Sequence, residues 1–161
     1  MKECVKSEWV SSSGKFITKF EEEISKYTKS KFVISCVNGT SALHIALKII
    51  GVDSSCEVIV PSLTFIAPVN AVRYCNADPI FMDSDQTHNL DIKKTIKFLE
   101  EETIKKNNIC YNIKTNKKIK ALIPVHVWGN AIELDLLIAA CKKRNIKIVE
   151  DSSESLGTFF N

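Results

Sequence analysis

The sequence predicts an α/β fold: a mainly parallel sheet covered by helices on both faces. Two observations carry this. Short apolar runs rich in β-branched residues alternate with longer segments of helical periodicity. Those short runs are apolar almost throughout rather than every second residue, as in strands buried on both faces.

The elements follow in order. Residues 14–27 read as an amphipathic helix, with Ile17, Phe20, Ile24 and Tyr27 near one face. Residues 32–37 are a short apolar run and predict a buried strand, followed by a turn at Asn38-Gly39-Thr40. Residues 41–50 predict a helix with Ala42, Ile45, Ala46 and Ile49 on one stripe. Leu43, Leu47 and Ile50 widen that stripe, so deep burial is expected, and Gly51 marks the stop. A second strand over 58–60 ends at Pro61. The helix over 65–75 admits Pro68 only in its first turn. A third strand spans 79–82. Asp91 is placed to cap a helix running to Glu102, with Ile92, Ile96 and Leu99 inward. Residues 107–118 are polar, and the apolar stretch 109–113 suggests a hairpin about Thr115-Asn116. A fourth strand over 121–125, a helix over 132–144 facing Leu134, Leu137, Ile138 and Cys141 inward, and a fifth strand over 146–149 complete the series.

Composition bounds the function. A chain of 161 residues, 45% hydrophobic and 25% charged, is the size of one globular domain. The net charge of +3 is scattered, and the runs at Lys117-Lys118-Lys120 and Lys142-Lys143-Arg144 read as solvated faces rather than a nucleic-acid stripe. No apolar run reaches the length of a membrane span, and the N-terminus is no signal peptide. The six cysteines form no CxxC pair. They read as reduced, packed residues of a cytoplasmic protein rather than zinc ligands. His44, His88 and His126 show no metal-site spacing.

Ligands of such sheets bind beyond the carboxyl ends of the strands. Asn38-Gly39-Thr40-Ser41 opens directly into a helix, which makes either a plain turn and cap or an anion site built on free N–H groups. Phe65, after the second strand, is either a core residue or a platform for a flat ring. His126, after the fourth, is either a hydrogen-bonding structural residue or a general acid or base. Asp151, at the end of the fifth, is a carboxylate that needs a partner. A metal, a ribose hydroxyl or a protonated ring nitrogen would each serve, and no second acidic or His cluster supports the metal.

Taken together, these positions resemble the DegT/DnrJ/EryC1/StrS family of sugar aminotransferases, fold-type I enzymes that use pyridoxal 5'-phosphate. The markers run in order through nearly the whole chain. They are Trp9-Val10-Ser11-Ser12-Ser13-Gly14-Lys15-Phe16, Val37-Asn38-Gly39-Thr40-Ser41-Ala42-Leu43-His44, Val60-Pro61-Ser62-Leu63-Thr64-Phe65, Pro124-Val125-His126-Val127-Trp128-Gly129 and Val149-Glu150-Asp151-Ser152-Ser153-Glu154-Ser155-Leu156-Gly157. The resemblance implies that Gly39, Thr40 and Ser41 hold the cofactor phosphate, Phe65 stacks on its ring and Asp151 bonds the ring nitrogen. Glu154 falls where many relatives carry Gln or His near the ring's 3'-oxygen. An ionised carboxylate cannot donate a hydrogen bond there, so a Glu must be protonated or turned away.

The flavour resembles the branch acting on UDP-linked 4-keto-6-deoxy amino sugars, with glutamate as the expected amino donor and a homodimer as the full-length enzyme. The resemblance further implies that residues 1–161 are part of the cofactor-binding large domain. The late strands, the Schiff-base lysine and the small C-terminal domain fall beyond them. These residues alone are therefore expected to be poorly stable, to hold the cofactor weakly or not at all, and to be inactive. The alternatives are a sugar dehydratase of the same superfamily, in which a His replaces that lysine, and a non-catalytic truncated product.

Overall fold

The structure, a computed structural model, describes residues 2–9, 11 and 13–159. Val10 and Ser12, part of the first family marker, lie outside the described residues, as does Asn161. The chain divides into two compact units, Met1–Val37 and Asn38–Asn161.

The first unit holds α1 (Lys2–Lys6) and α2 (Lys15–Thr28). The expected helix is therefore present, starting one residue late. Gly14 precedes it at φ 136°, where a Cβ would stand 2.8 Å from Nε1 of Trp9, so only glycine fits. No residue of α2 is buried, and Phe20 and Tyr27 of its apolar face are exposed. The buried strand expected over 32–37 is not found: Phe32, Ile34 and Val37 are 78%, 80% and 87% exposed and the run makes no ladder among the described residues. Apolar, β-branched composition favours a strand, but a ladder partner makes one. The run is instead tied down by Glu21, whose Oε1 accepts from the N–H and the hydroxyl of Ser35 at 2.7 and 2.8 Å.

The second unit is the α/β fold. Its strands are β1 (Cys56–Pro61), β2 (Asp78–Met82), β3 (Thr103–Lys106), β4 (Ile109–Asn112), β5 (Lys118–Leu122) and β6 (Lys147–Ile148). They form one sheet in the order β2-β1-β5-β4-β3, with β6 also on β5. The pairs β1–β2, β1–β5 and β5–β6 are parallel, whereas β3–β4 and β4–β5 are antiparallel. One edge of β5 is thus shared: Lys118 pairs with Tyr111 of β4, and Ala121 and Leu122 pair with β6.

Helices α3 (Gly39–Ile49), α4 (Ile66–Tyr74), α5 (Ile92–Glu101) and α6 (Asp135–Arg144) cover the two faces. Leu43 and Leu47 of α3 and Ala71 and Val72 of α4 pack on Val58, Val60 and Ile123. Leu99 of α5 and Leu137 and Cys141 of α6 pack on Ile59, Ile119 and Leu122. Alternate residues of β1 therefore feed two cores, which is why the strand reads as a continuous apolar run.

Several boundaries moved for physical reasons. Asp91 caps α5 as expected, its side chain accepting the Lys94 N–H at 2.9 Å. Helix α3 starts earlier, at Gly39. Only one of its faces is buried, since Ile45 and Ile49 are exposed. Strand β5 begins three residues early because Lys118, read as part of a solvated run, is a half-buried ladder residue paired with Cys56 and Tyr111, while Lys120 sits half-buried at a bulge. Strand β3 was not expected. It forms a hairpin with β4 through Asn107-Asn108, both at positive φ (48° and 62°), which Asn tolerates. The expected turn at Thr115-Asn116 joins β4 to β5. Ile138, expected inward on α6, is exposed.

Candidate active site

The carboxyl ends of three neighbouring strands, β1, β5 and β6, lead into loops that enclose one cleft of about 650 Å³. The loop after β1 brings Ser62, Leu63, Thr64 and Phe65; the segment after β5 brings Val125, Val127 and Trp128; the segment after β6 brings Asp151, Ser153 and Glu154. Three residues singled out in the sequence, Phe65, Asp151 and Glu154, therefore share a wall.

Asp151 is fixed by backbone and side chain together. Its N–H donates to Pro124 O at 2.9 Å and its carbonyl accepts from His126 N–H at 3.3 Å, continuing the sheet beyond β5 and β6. It is 7% exposed. Oδ1 accepts from the N–H and the hydroxyl of Ser153, at 3.1 and 2.6 Å, while Oδ2 makes no hydrogen bond among the described residues. Phe65 is 75% exposed at the N-terminus of α4, so it is not a core residue. The hydroxyl of Thr64, another residue of the cleft, is buried without a hydrogen-bond partner among the described residues.

Gly39, Thr40 and Ser41 form the first turn of α3 and do not line this cleft. Gly39 abuts it through Ser153: a Cβ on Gly39 would stand 3.3 Å from Ser153 Oγ. Asn38 caps the helix, its Oδ1 accepting the Ser41 N–H at 2.8 Å. The N–H groups of Gly39 and Thr40 make no hydrogen bond among the described residues, leaving two donors open at the positive end of the helix. The cap and the anion site are thus compatible, because they use different N–H groups.

His126 is structural in its hydrogen bonding. It is 5% exposed, its Nδ1 accepts the Ile132 N–H at 3.0 Å and its Nε2 lies 2.8 Å from Glu150 Oε1. An Nδ1 that accepts carries no proton, so the tautomer that fits donates from Nε2 to Glu150. Neither nitrogen is open to a substrate.

Glu154 is turned toward the backbone of the facing loop. Its Oε2 accepts the Trp128 N–H at 2.5 Å. Trp128 has φ 54° and ψ 27°, a left-handed conformation that costs a bulky residue about 1–3 kcal/mol. Sequence reasoning missed the residue that holds this loop from behind. Asn89, 3% exposed, accepts the Val127 N–H at 3.1 Å and donates to Asn130 O at 3.2 Å. A polar loop residue whose partners lie about forty positions away leaves no periodic signal.

Among the described residues, no group of three or more His, Cys, Asp or Glu could hold a metal ion, no helix is long and apolar enough to cross a membrane, and no lysine lines the cleft.

Comparison with known proteins gives the family. GDP-perosamine synthase of Caulobacter vibrioides is 37% identical over 159 residues, which cover 98% of this chain and 38% of that protein. A putative pyridoxal phosphate-dependent aminotransferase of Bacillus subtilis is 30% identical over 159 residues, 98% of this chain and 38% of that one. Among solved structures, a DegT DnrJ EryC1 StrS aminotransferase from Brucella abortus superposes with a TM-score of 0.83 at 26% identity, over 97% of this chain and 39% of that one. The chain thus spans about two fifths of the length of the proteins it matches. The sequence profile of the DegT/DnrJ/EryC1/StrS aminotransferase family matches residues 1–161 throughout, and the chain belongs to that family.

Proposed function

We propose that this chain forms the cofactor cleft of a pyridoxal 5'-phosphate-dependent aminotransferase that moves an amino group from glutamate to a nucleotide-linked 4-keto-6-deoxy sugar. The observation that carries the reading is Asp151: a buried carboxylate at a strand end, one oxygen fixed by Ser153 and the other without a protein partner among the described residues. Asp151 lines the cleft, so the oxygen without a protein partner is placed to accept a hydrogen bond from a ligand there. Thr64, whose hydroxyl is buried without a partner among the described residues, lines the same cleft.

When bound, the cofactor supplies a ring that accepts electrons while the proton moves at the carbon bearing the amino group. Asp151 keeps that ring's nitrogen protonated, since a neighbouring carboxylate favours the charged form. Phe65 covers a ring face. The open N–H groups of Gly39 and Thr40, with the hydroxyls of Thr40 and Ser41, hold the phosphate. Glu154 borders the ring with its Oε2 accepting from the Trp128 N–H. His126 takes no part in proton transfer, having both nitrogens engaged.

Relatives named GDP-perosamine synthase support guanosine diphosphate as the carrier over the uridine diphosphate expected from the sequence. A homodimer in the cytoplasm belongs to the same proposal.

The test is a chimera in which residues 1–161 replace the matching stretch of the Caulobacter vibrioides relative. It is assayed for amino transfer from glutamate to a GDP-linked 4-keto-6-deoxy sugar. The proposal expects transfer that is lost in D151A. A folded chimera that binds pyridoxal phosphate and transfers nothing would overturn it.

A further inference from the structure

Trp128 combines three features. It is a bulky residue in the left-handed region, its side chain is 66% exposed on the cleft wall, and it is held from several sides. Glu154 Oε2 accepts its N–H at 2.5 Å, and Asn89 grips Val127 and Asn130 on either side of it. The Thr158 hydroxyl donates to Gly129 O at 3.0 Å, and the His88 ring meets the indole edge-on at 4.9 Å and 69°. Burial does not offset the backbone strain, since the indole stays in solvent. Strain kept at an exposed, rigidly held aromatic is characteristic of a ligand platform.

We propose that Trp128 and Glu154 form the subsite for the sugar ring of the amino-group acceptor, with Asn89 as the positioning residue that holds its shape. This rests on the function proposed above. A pyranose has one apolar face of C–H groups and a rim of hydroxyls. The indole covers the face. Glu154 Oε1, which makes no hydrogen bond among the described residues, accepts a hydroxyl. The sugar rather than the nucleobase occupies this place because the sugar carries the reacting carbon. It must therefore enter the cleft that holds Asp151, while the diphosphate sets the base apart.

The experiment is saturation-transfer NMR on the full chain with GDP-mannose as probe and GDP as comparison, alongside a separate titration with pyridoxal phosphate. The variants are W128G, which keeps the backbone because glycine accepts φ 54°, W128F, which keeps a ring, and N89A. The expected result is strongest saturation on the pyranose C–H protons. Binding of GDP-mannose is about tenfold weaker in W128G, retained in W128F and lowered in N89A, while cofactor binding is unchanged in all three. The inference falls if the pyranose protons are saturated no more than those of guanine and ribose, if W128G changes nothing, or if GDP-mannose binds no better than GDP. Cofactor binding without any of the sugar effects would sink the subsite alone, whereas the proposed function stands or falls separately, on the chimera.

Discussion

Ser153 donates both its backbone N–H and its hydroxyl to the same oxygen of Asp151, at 3.1 and 2.6 Å, and its Oγ is also the atom nearest to where a side chain on Gly39 would begin. The first turn of α3 and the Asp151 carboxylate are therefore linked through one hydroxyl. S153A removes a charge-assisted bond and should cost about 1.5 kcal/mol of stability, read from urea unfolding. G39A behaves differently. Its Cβ would meet only a rotatable hydroxyl, and alanine is the better helix former, so the thermal midpoint should hold. The displaced Ser153 then loosens Asp151, and titration of G39A should show pyridoxal phosphate binding weakened about tenfold. Unaltered binding in G39A would break the link.

His126 separates a structural role from a chemical one. H126A leaves the Ile132 N–H unpaired in a buried loop, which costs about 1–3 kcal/mol. Chemical denaturation should show that loss. In the chimera, the pH profile of amino transfer should keep its shape. A basic limb that vanishes in H126A would make His126 the proton carrier instead.

Much of this was legible in the sequence, and the gaps have definite causes. Asp151 stood out because a carboxylate closing an apolar run needs a partner, and Gly39-Thr40-Ser41 because a glycine turn opens there directly into a helical pattern. The hidden links were those that join distant loops: Asn89 to Val127 and Glu154 to Trp128 depend on which strands become neighbours, and periodicity is silent about that. Residues 32–37 misled because composition can describe a strand without supplying its partner. Strand β3 was overlooked because Thr103–Lys106 buries only Thr103 and so presents no apolar run.

Asp53 should make the loop before β1 acid-sensitive. Its Oδ1 accepts from the hydroxyl and the N–H of Ser55 at 2.6 and 2.8 Å, bonds that hold its carboxyl down at about 2. A carboxyl lowered on folding stabilises the fold fully above its ordinary value of 3.8, and that contribution disappears as pH falls toward about 2. The Asp53 carboxyl carbon should therefore titrate near 2 by NMR. D53N should lose stability at neutral pH and match the parent in strong acid. A midpoint at the ordinary value would show that the Ser55 bonds do not persist in solution.

The cysteines report on the docking of α6. Cys36 is exposed, whereas Cys141 is buried on α6, and burial pushes its thiol up to about 12. A thiol-reactive reagent in mildly alkaline solution should label Cys36 promptly and Cys141 only on unfolding, located by peptide mass mapping. Rapid labelling of Cys141 would mean that α6 does not stay docked on the sheet.

The central claim is that Asp151 pairs with a pyridine nitrogen, and the nitrogen itself reports on it. Pyridoxal phosphate labelled with nitrogen-15 in the ring, added in excess to the chain in mildly alkaline solution, gives a chemical shift that distinguishes protonated from neutral ring. The shift should move toward the protonated form with the parent chain and stay at the neutral value with D151N. A shift that is the same with both proteins, or that never leaves the value of the free cofactor, would contradict the account.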